Sequence, residues 1–245
     1  MRRFFIDEKA IKGDGVIIGG EEAHHIRDVI RLKVGDRFLG FDGTGRAYTL
    51  CIKKITDAIE AQIEKVSTAD AKMPKILLAC AVPKKNKMDY IIEKAAELGV
   101  SDIIPMITER TVVKFDDGDR QARQKRWGRI SIEASKQCGR DTLPIIHSVM
   151  KFKDAITKAE DLGYKKKIMP CLCEGRKYVD EALLNEVEQV AVFIGPEGDF
   201  SNKEIGYAKG SGFELVSLGP LVLKVDTACI FTISLIHGRC LRSNV

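Results

Sequence analysis

The sequence predicts an α/β protein in two parts, a small β-rich barrel followed by a mainly parallel sheet covered by helices. Three observations carry this. Over roughly the first seventy residues, short alternating apolar runs follow one another with one helical interruption. After residue 73, apolar strand-like runs alternate with helical segments, the pattern of a parallel sheet with crossover helices. Two late runs, "EQVAVFIG" and "VSLG", each end on a Gly-Pro turn that leads towards a helix.

In the first part, "RRFFI" and "GVIIGG" read as strands, and "EEAHHIRDVIRL" as a short helix ending before "KVGD". "DRFLGFDGTGRAYTLCIKKI" reads as two strands joined by the Gly-rich turn "DGTG", and "AIEAQIEKV" adds another. These elements place a first domain at 1–72, large enough to fold independently. The second domain, 73–245, takes its strands from "KILLACAV", "DIIPMIT", "PIIHSV", "KKIMPCL", "QVAVFIG" and "FELVSLG". Between the first two, "NKMDYIIEKAAELG" sets Met88, Ile91, Ile92, Ala95 and Leu98 on one helical face, with Gly99 as the stop. Ser201 and Glu204 have the spacing of a capping box and predict a helix start. A last helix starts near Asp226 or Thr227 and is apolar enough, through Ala228, Ile230, Phe231, Ile233 and Leu235, to be expected buried.

Composition narrows the class. A hydrophobic fraction of 44% and a charged fraction of 31% fit a soluble globular protein. The longest apolar runs, such as "KILLACAVP", are too short to span a bilayer, so no membrane is expected. "MRRFFIDEKA" lacks the apolar segment of a signal peptide. Seven cysteines without paired spacing, with "CLC" at 171–173 unlike C-x-x-C, predict reduced thiols in a cytoplasmic protein. The four histidines have no metal-ligand pattern, and no structural metal is expected.

A net charge of +5 is too small to imply nucleic acid, but its distribution is uneven. Lys84, Lys85 and Lys87 form one cluster; Lys114, Arg120, Arg123, Lys125, Arg126, Arg129, Lys136 and Arg140 form another. Both suit a polyanion, whereas Lys165–Lys167 reads as a solvated face. No G-x-G-x-x-G follows a strand, and the P-loop, G-x-S-x-G and H-E-x-x-H patterns are absent. Two Gly-Pro turns at successive strand ends would instead place backbone amides and carbonyls in one crevice, suited to a flat heterocycle.

The ordered motifs "NKMDYIIEKAAELGV", "EASKQCGR", "GPEGDFSNKEI" and "LGPLVLKVDTA" resemble the RsmE family. These are SPOUT methyltransferases that modify N3 of a uridine in 16S ribosomal RNA. "HHIRDVIRLKVGD" and "FDGTGRAY" look like the family's PUA-like barrel, so the resemblance spans nearly the whole chain. It implies an N-terminal PUA-like β-barrel, a C-terminal SPOUT domain with a deep trefoil knot, bound S-adenosylmethionine (SAM), and a homodimer acting on 16S rRNA within the small subunit. Gly195, Pro196, Glu197 and Gly198 would form one cofactor loop; Leu218, Gly219, Val222 and Leu223 a second, with Leu172 and Thr227 completing the pocket. Lys84, Arg110, Arg123 and Arg126 would meet RNA phosphate.

The last motif departs from the family pattern L-G-P-R-V-L-R-T-E-T-A. Leu221, Lys224, Val225 and Asp226 stand where R, R, T and E are expected. Lys224 keeps a cation without the planar fork, and Asp226 keeps a carboxylate on a shorter stem. Uracil N3 must lose its proton before it attacks a methyl group, and charge then builds on the uracil oxygens. Lys224, Arg140 and Arg3 are the candidate cations; Asp226 would take the proton or orient Lys224. Glu133 and Gln137, one turn apart, are further candidates for the pocket wall. Methylation of another RNA position, such as a ribose 2′-hydroxyl, and non-catalytic RNA binding are the alternatives.

Overall fold

The computed structural model describes residues 2–68, 73–113, 116–183 and 188–242. Lys114 of the basic cluster lies outside them. The chain divides into two compact units, Met1–Ala71 with Ile132–Leu143, and Lys72–Ser131 with Pro144–Val245. The boundary expected after residue 72 falls beside residues 69–72, outside the described ones. The segment 132–143 belongs to the first unit.

In the first unit, β1 (Arg3–Phe5), β2 (Ile11–Lys12), β3 (Gly15–Ile18), β4 (Arg37–Phe41), β5 (Arg46–Ile55) and β6 (Ile59–Thr68) form one sheet ordered β1-β4-β5-β6-β3-β2. Alternation decides the faces: Val16 and Ile18 are buried and Ile17 is exposed. The core gathers Phe4, Ile6, Phe38, Leu50 and Ile52, each worth about 1.5–3 kcal/mol when fully buried. The expected helix is α1 (Gly20–His24), continued by a π-helical turn at His25–Val29. In the "DGTG" turn, Asp42 accepts bonds from Thr44 N (2.8 Å), Thr44 Oγ1 (2.7 Å) and the Tyr48 hydroxyl (2.8 Å). Burial alone would raise the Asp42 pKa, but these donors hold it below the ordinary value.

The segment 132–143 is tied to the same unit. Leu143 N donates to Gly43 O (2.9 Å), and the Leu143 side chain fills the place of a Cβ on Gly43, whose φ is +82°. Lys136 Nζ meets Glu22 at 2.8 Å and Glu133 at 3.0 Å.

The second unit holds β7 (Lys75–Ala81), α2 (Lys87–Glu97), β8 (Asp102–Ile107), β9 (Ile145–Ile146), β10 (Met150–Lys151), α4 (Phe152–Asp161), β11 (Lys166–Pro170), β12 (Lys177–Tyr178), α5 (Val179–Ala182), β13 (Gln189–Ile194), α6 (Asn202–Gly210), β14 (Glu214–Ser217) and α7 (Val225–Arg242). The long helix α3 (Asp117–Cys138) runs from this unit into the first. The strands pair in parallel in the order β10-β8-β7-β13-β11-β14-β12, with β9 also on β8. Central β7 is buried after its first residue because both faces are covered. Ile76, Leu78 and Cys80 pack with α2 and α7; Leu77, Ala79 and Ala81 pack with α4 and α6.

Two expectations need correction. Helix α7 is not buried all round: Ala228, Cys229, Thr232, Ile233 and Ile236 face the core, while Phe231 is 39% exposed. A single sheet face and α2 cover only one stripe of it. The thiols are not all reduced: Cys171 and Cys173 form a disulfide with Cα atoms 5.5 Å apart, whereas Cys51, Cys80, Cys138 and Cys229 are free. The bend after β11 brings together side chains that are one residue closer than in C-x-x-C.

One register positions the site. Pro170 at the end of β11 and Lys177 at the start of β12 both pair with Val216, from opposite sides of β14. The segment 171–176 therefore crosses from one flank of β14 to the other.

Candidate cofactor cleft

A cleft lies at the carboxyl ends of β11, β13 and β14, where open parallel sheets place their ligands. Its wall comes from three loops. Cys171, Leu172 and Arg176 come from the crossing segment; Gly195, Pro196, Glu197 and Asp199 follow β13; Ser217 ends β14, and Leu218 and Gly219 follow it. Leu221, Val222, Leu223, Val225 and Ala228 close it from the chain leading into α7. Leu221 and Val222 are 75% and 74% exposed, an apolar rim that no described residue covers. The enclosed part of the cleft is small, about 90 Å³, and the rest is open to solvent.

The loops are braced by hydrogen bonds. Leu172 N donates to Asp199 Oδ2 (2.8 Å), tying the crossing segment to the turn after β13. Within that turn Asp199 N donates to Pro196 O (3.0 Å) and Asp199 has φ +58°. Arg110 Nη1 donates to Gly198 O (2.6 Å). The capping box closes: Ser201 N donates to Glu204 Oε2 (2.9 Å) and Glu204 N to Ser201 Oγ (3.3 Å). Glu204 Oε1 also accepts from Glu109 N (2.9 Å), so one buried carboxylate anchors α6 to the loop after β8. Gly219, at φ +119°, adopts a backbone that a side chain would strain. A Cβ on Gly195 would lie 3.0 Å from the Phe200 ring.

Of the residues expected at the cofactor, Leu172, Gly195, Pro196, Glu197, Leu218, Gly219, Val222 and Leu223 line the cleft. Gly198 and Thr227 are not in the lining; Gly198 packs under Arg110, and Thr227 is exposed on α7. Lys224 is exposed beside the cleft. Asp226, in the first turn of α7, meets Lys87 Nζ at 3.5 Å. Neither Asp226 nor Lys87 is in the lining, and sequence reading placed Lys87 only in a charge cluster.

The other candidates fall elsewhere. Arg110 braces the Gly198 loop, Lys84 is exposed after β7, and Arg126 forks onto Asp89 through Nε (3.0 Å) and Nη2 (2.7 Å). Arg123 lies on α3. Arg3 and Arg140 belong to the first unit. There Arg3 Nη2 bonds Arg140 O (3.2 Å) and pairs with Asp141, and Arg140 Nε donates to Thr142 Oγ1 (2.7 Å). Burial pulls the Arg140 pKa below its ordinary value. Glu133 is occupied by Lys136 in the same unit.

Arg176 was invisible to sequence reasoning, because one arginine in "CEGRKY" carries no pattern. Among the described residues no cluster of three or more His, Cys, Asp or Glu side chains is placed to hold a metal, and no helix is long and apolar enough to cross a membrane.

Known proteins resemble this chain over most of its length. Residues 70–237 match an RNA methyltransferase domain model and residues 18–66 an RNA methyltransferase PUA domain model. The ribosomal RNA small subunit methyltransferase E of Aquifex aeolicus is 31% identical, over 96% of this chain and 99% of its own. That of Bacillus subtilis is 26% identical over 96% of both. The crystal structure of the Neisseria gonorrhoeae methyltransferase E bound to S-adenosyl methionine superposes with a TM-score of 0.84 at 28% identity, covering 97% of each chain.

Proposed function

Since the chain belongs to the RNA methyltransferase family that contains the small-subunit methyltransferases E, we propose that it uses SAM to methylate N3 of a uridine in 16S ribosomal RNA. The observation that supports this best is the cleft at the carboxyl ends of β11, β13 and β14, with glycine loops on one side and an apolar rim on the other. Gly195 and Gly219 let backbone approach the ligand; Leu221, Val222 and Leu223 supply the apolar surface an adenine needs. The trefoil knot of the family is part of this reading, supported by the passage of 171–176 across β14.

When bound, SAM supplies a methyl group activated by its sulfonium. The chain must hold the uracil, remove the N3 proton and offset the charge that grows on the ring oxygens. Asp226 takes the proton in this reading. Lys87, 3.5 Å away across the α2–α7 contact, fixes where that carboxylate points. Lys224 offsets the oxygen charge. The loop after β13 also carries the carboxylates of Glu197 and Asp199, and Asp199 Oδ2 already accepts from Leu172 N.

The RNA is the chain's ribosomal partner, and a homodimer is part of the same proposal. Exposed Tyr90 on α2 and Phe231 on α7, with Leu221 and Val222 at the rim, leave apolar area for a second copy to cover. The test incubates purified protein with methyl-labelled SAM and unmodified small subunits, then identifies the nucleoside by mass. N3-methyluridine carries the proposal. A ribose-methylated nucleoside overturns the position, and no SAM binding in calorimetry overturns the enzyme.

A further inference from the structure

The charged groups around the cleft are few and unequal. Among its described lining residues there is one cation, Arg176, against two carboxylates, Glu197 and Asp199. The ligand assigned above has the reverse composition: a sulfonium and an ammonium against one carboxylate. Opposite charges buried together favour the ionised forms of both, and a carboxylate in a partly closed cleft needs a charge-assisted donor to offset its lost hydration.

Arg176 is placed to be that donor. It is the last residue of the crossing segment, and the next residue, Lys177, pairs with Val216 of β14. Its backbone is thus pinned to the strand that leads into the Leu218–Gly219 loop. Nη1 donates to Cys173 O at 2.5 Å, which folds the guanidinium back against its own loop. The side chain is half-buried, so part of its entropy is already lost before any ligand arrives. A tethered planar fork is suited to two parallel hydrogen bonds with a carboxylate, which an ammonium cannot form. The glycine loops, by contrast, offer no cation: their lining side chains are apolar or, at Glu197 and Asp199, acidic.

We propose that Arg176 binds the carboxylate of the methionine moiety of SAM, and that this contact makes the cleft select ligands that carry the amino-acid carboxylate. The proposal rests on the SAM reading above. It assigns the selection to a residue on the crossing segment rather than to either glycine loop.

Calorimetry with two probes tests it: SAM, and decarboxylated SAM, which keeps the adenosine, the sulfonium and the ammonium but lacks the carboxylate. The parent protein is expected to bind SAM about ten- to a hundredfold more tightly, the range of a charge-assisted bond. Arg176→Gln should weaken SAM by that factor and leave decarboxylated SAM unchanged, so that the preference disappears. Arg176→Lys should restore part of it, and the thermal midpoint of both variants should match the parent's. Equal weakening of both probes in Arg176→Gln would show a role in shaping the loop and overturn the proposal; so would an unchanged preference. If the parent protein binds decarboxylated SAM as tightly as SAM, this inference fails and the SAM reading stands. If it binds neither, the SAM reading itself fails.

Discussion

At the amino end of the parallel sheet Asp102, His147 and Tyr164 close on one another, whereas at the carboxyl end Glu197 and Lys224 stand exposed around a cleft. Asp102 Oδ1 meets His147 Nε2 at 2.7 Å and Oδ2 accepts the Tyr164 hydroxyl at 2.7 Å. Asp102 is only 6% exposed, and no lining residue of the cleft belongs to the trio. By residue type the amino end has the look of an acid–base site, yet each carboxylate oxygen there is already spent. The carboxyl end has few titratable groups and a wall of backbone, glycine and aliphatic side chains. The difference teaches that an open site is marked by unspent polar atoms beside permissive backbone, not by the residue types alone.

The largest effect expected is at the cleft. Gly195→Val puts a branched side chain against the Phe200 ring, 3.0 Å from where its Cβ would lie, and into the cofactor's space. SAM binding should fall below detection in calorimetry, while thermal melting shows a fold destabilised by only about 1–3 kcal/mol. Normal SAM affinity in this variant would break the distinction between the two ends.

Lys224→Ala comes next. Turnover should drop on the order of a hundredfold with SAM affinity nearly unchanged, since Lys224 is not in the cleft lining. Lys224→Arg should keep or raise activity. If Lys224→Ala methylates at the parent rate, Lys224 has no part in catalysis.

Asp102→Asn tests the amino end. It leaves a buried hydroxyl or imidazole without its acceptor, and should cost about 1–3 kcal/mol of stability with SAM affinity intact. Its pH signature is specific. Burial raises the Asp102 pKa, but bonds from His147 and Tyr164 outweigh burial and hold it below 3.8 in the folded protein. A carboxyl depressed on folding adds stability that is complete above about pH 4 and lost as pH falls through the lowered value. Urea titrations from pH 5 to pH 2 should therefore show a steeper loss in the parent than in Asp102→Asn.

The smallest effect sharpens the comparison on one strand. Lys84 follows the carboxyl end of β7 and Lys75 begins it; both are exposed. Lys84→Ala should reduce the salt slope of RNA binding by about one unit, and Lys75→Ala should leave it unchanged. Equal slopes would remove the polarity of the RNA-facing surface. Arg126 is a weaker test, because Asp89 already holds its fork.

The sheet was largely legible because fully buried strands write themselves as apolar runs: "KILLACA" and "QVAVFI" need no partner to be recognised. Strands of two residues such as β10 and β12 were not, since they exist only through pairing with β8 and β14. "PIIHSV" was read as one strand, and only Ile145–Ile146 pairs. The glycine loops were visible from local chemistry and from the family motifs. Lys87 and Arg176 were not, because their meaning depends on Asp226, 139 residues away, and on a crossing that no local pattern encodes. Asp102, His147 and Tyr164 were missed for the same reason, being brought together across separations of 45 and 62 residues.

The crossing at 171–176 also dictates a schedule. Strand β14 is made after both strands that flank it, and β11 and β12 are by then already leashed by six residues. It cannot join as the end of a growing hairpin; it must enter a slot whose two sides are fixed to each other. A nascent chain that stops before residue 214 has the two flanks and the loop after β13, but not the strand between them or the Leu218–Gly219 wall. The cleft is therefore completed only when β14 enters between its flanks and brings the Leu218–Gly219 wall with it.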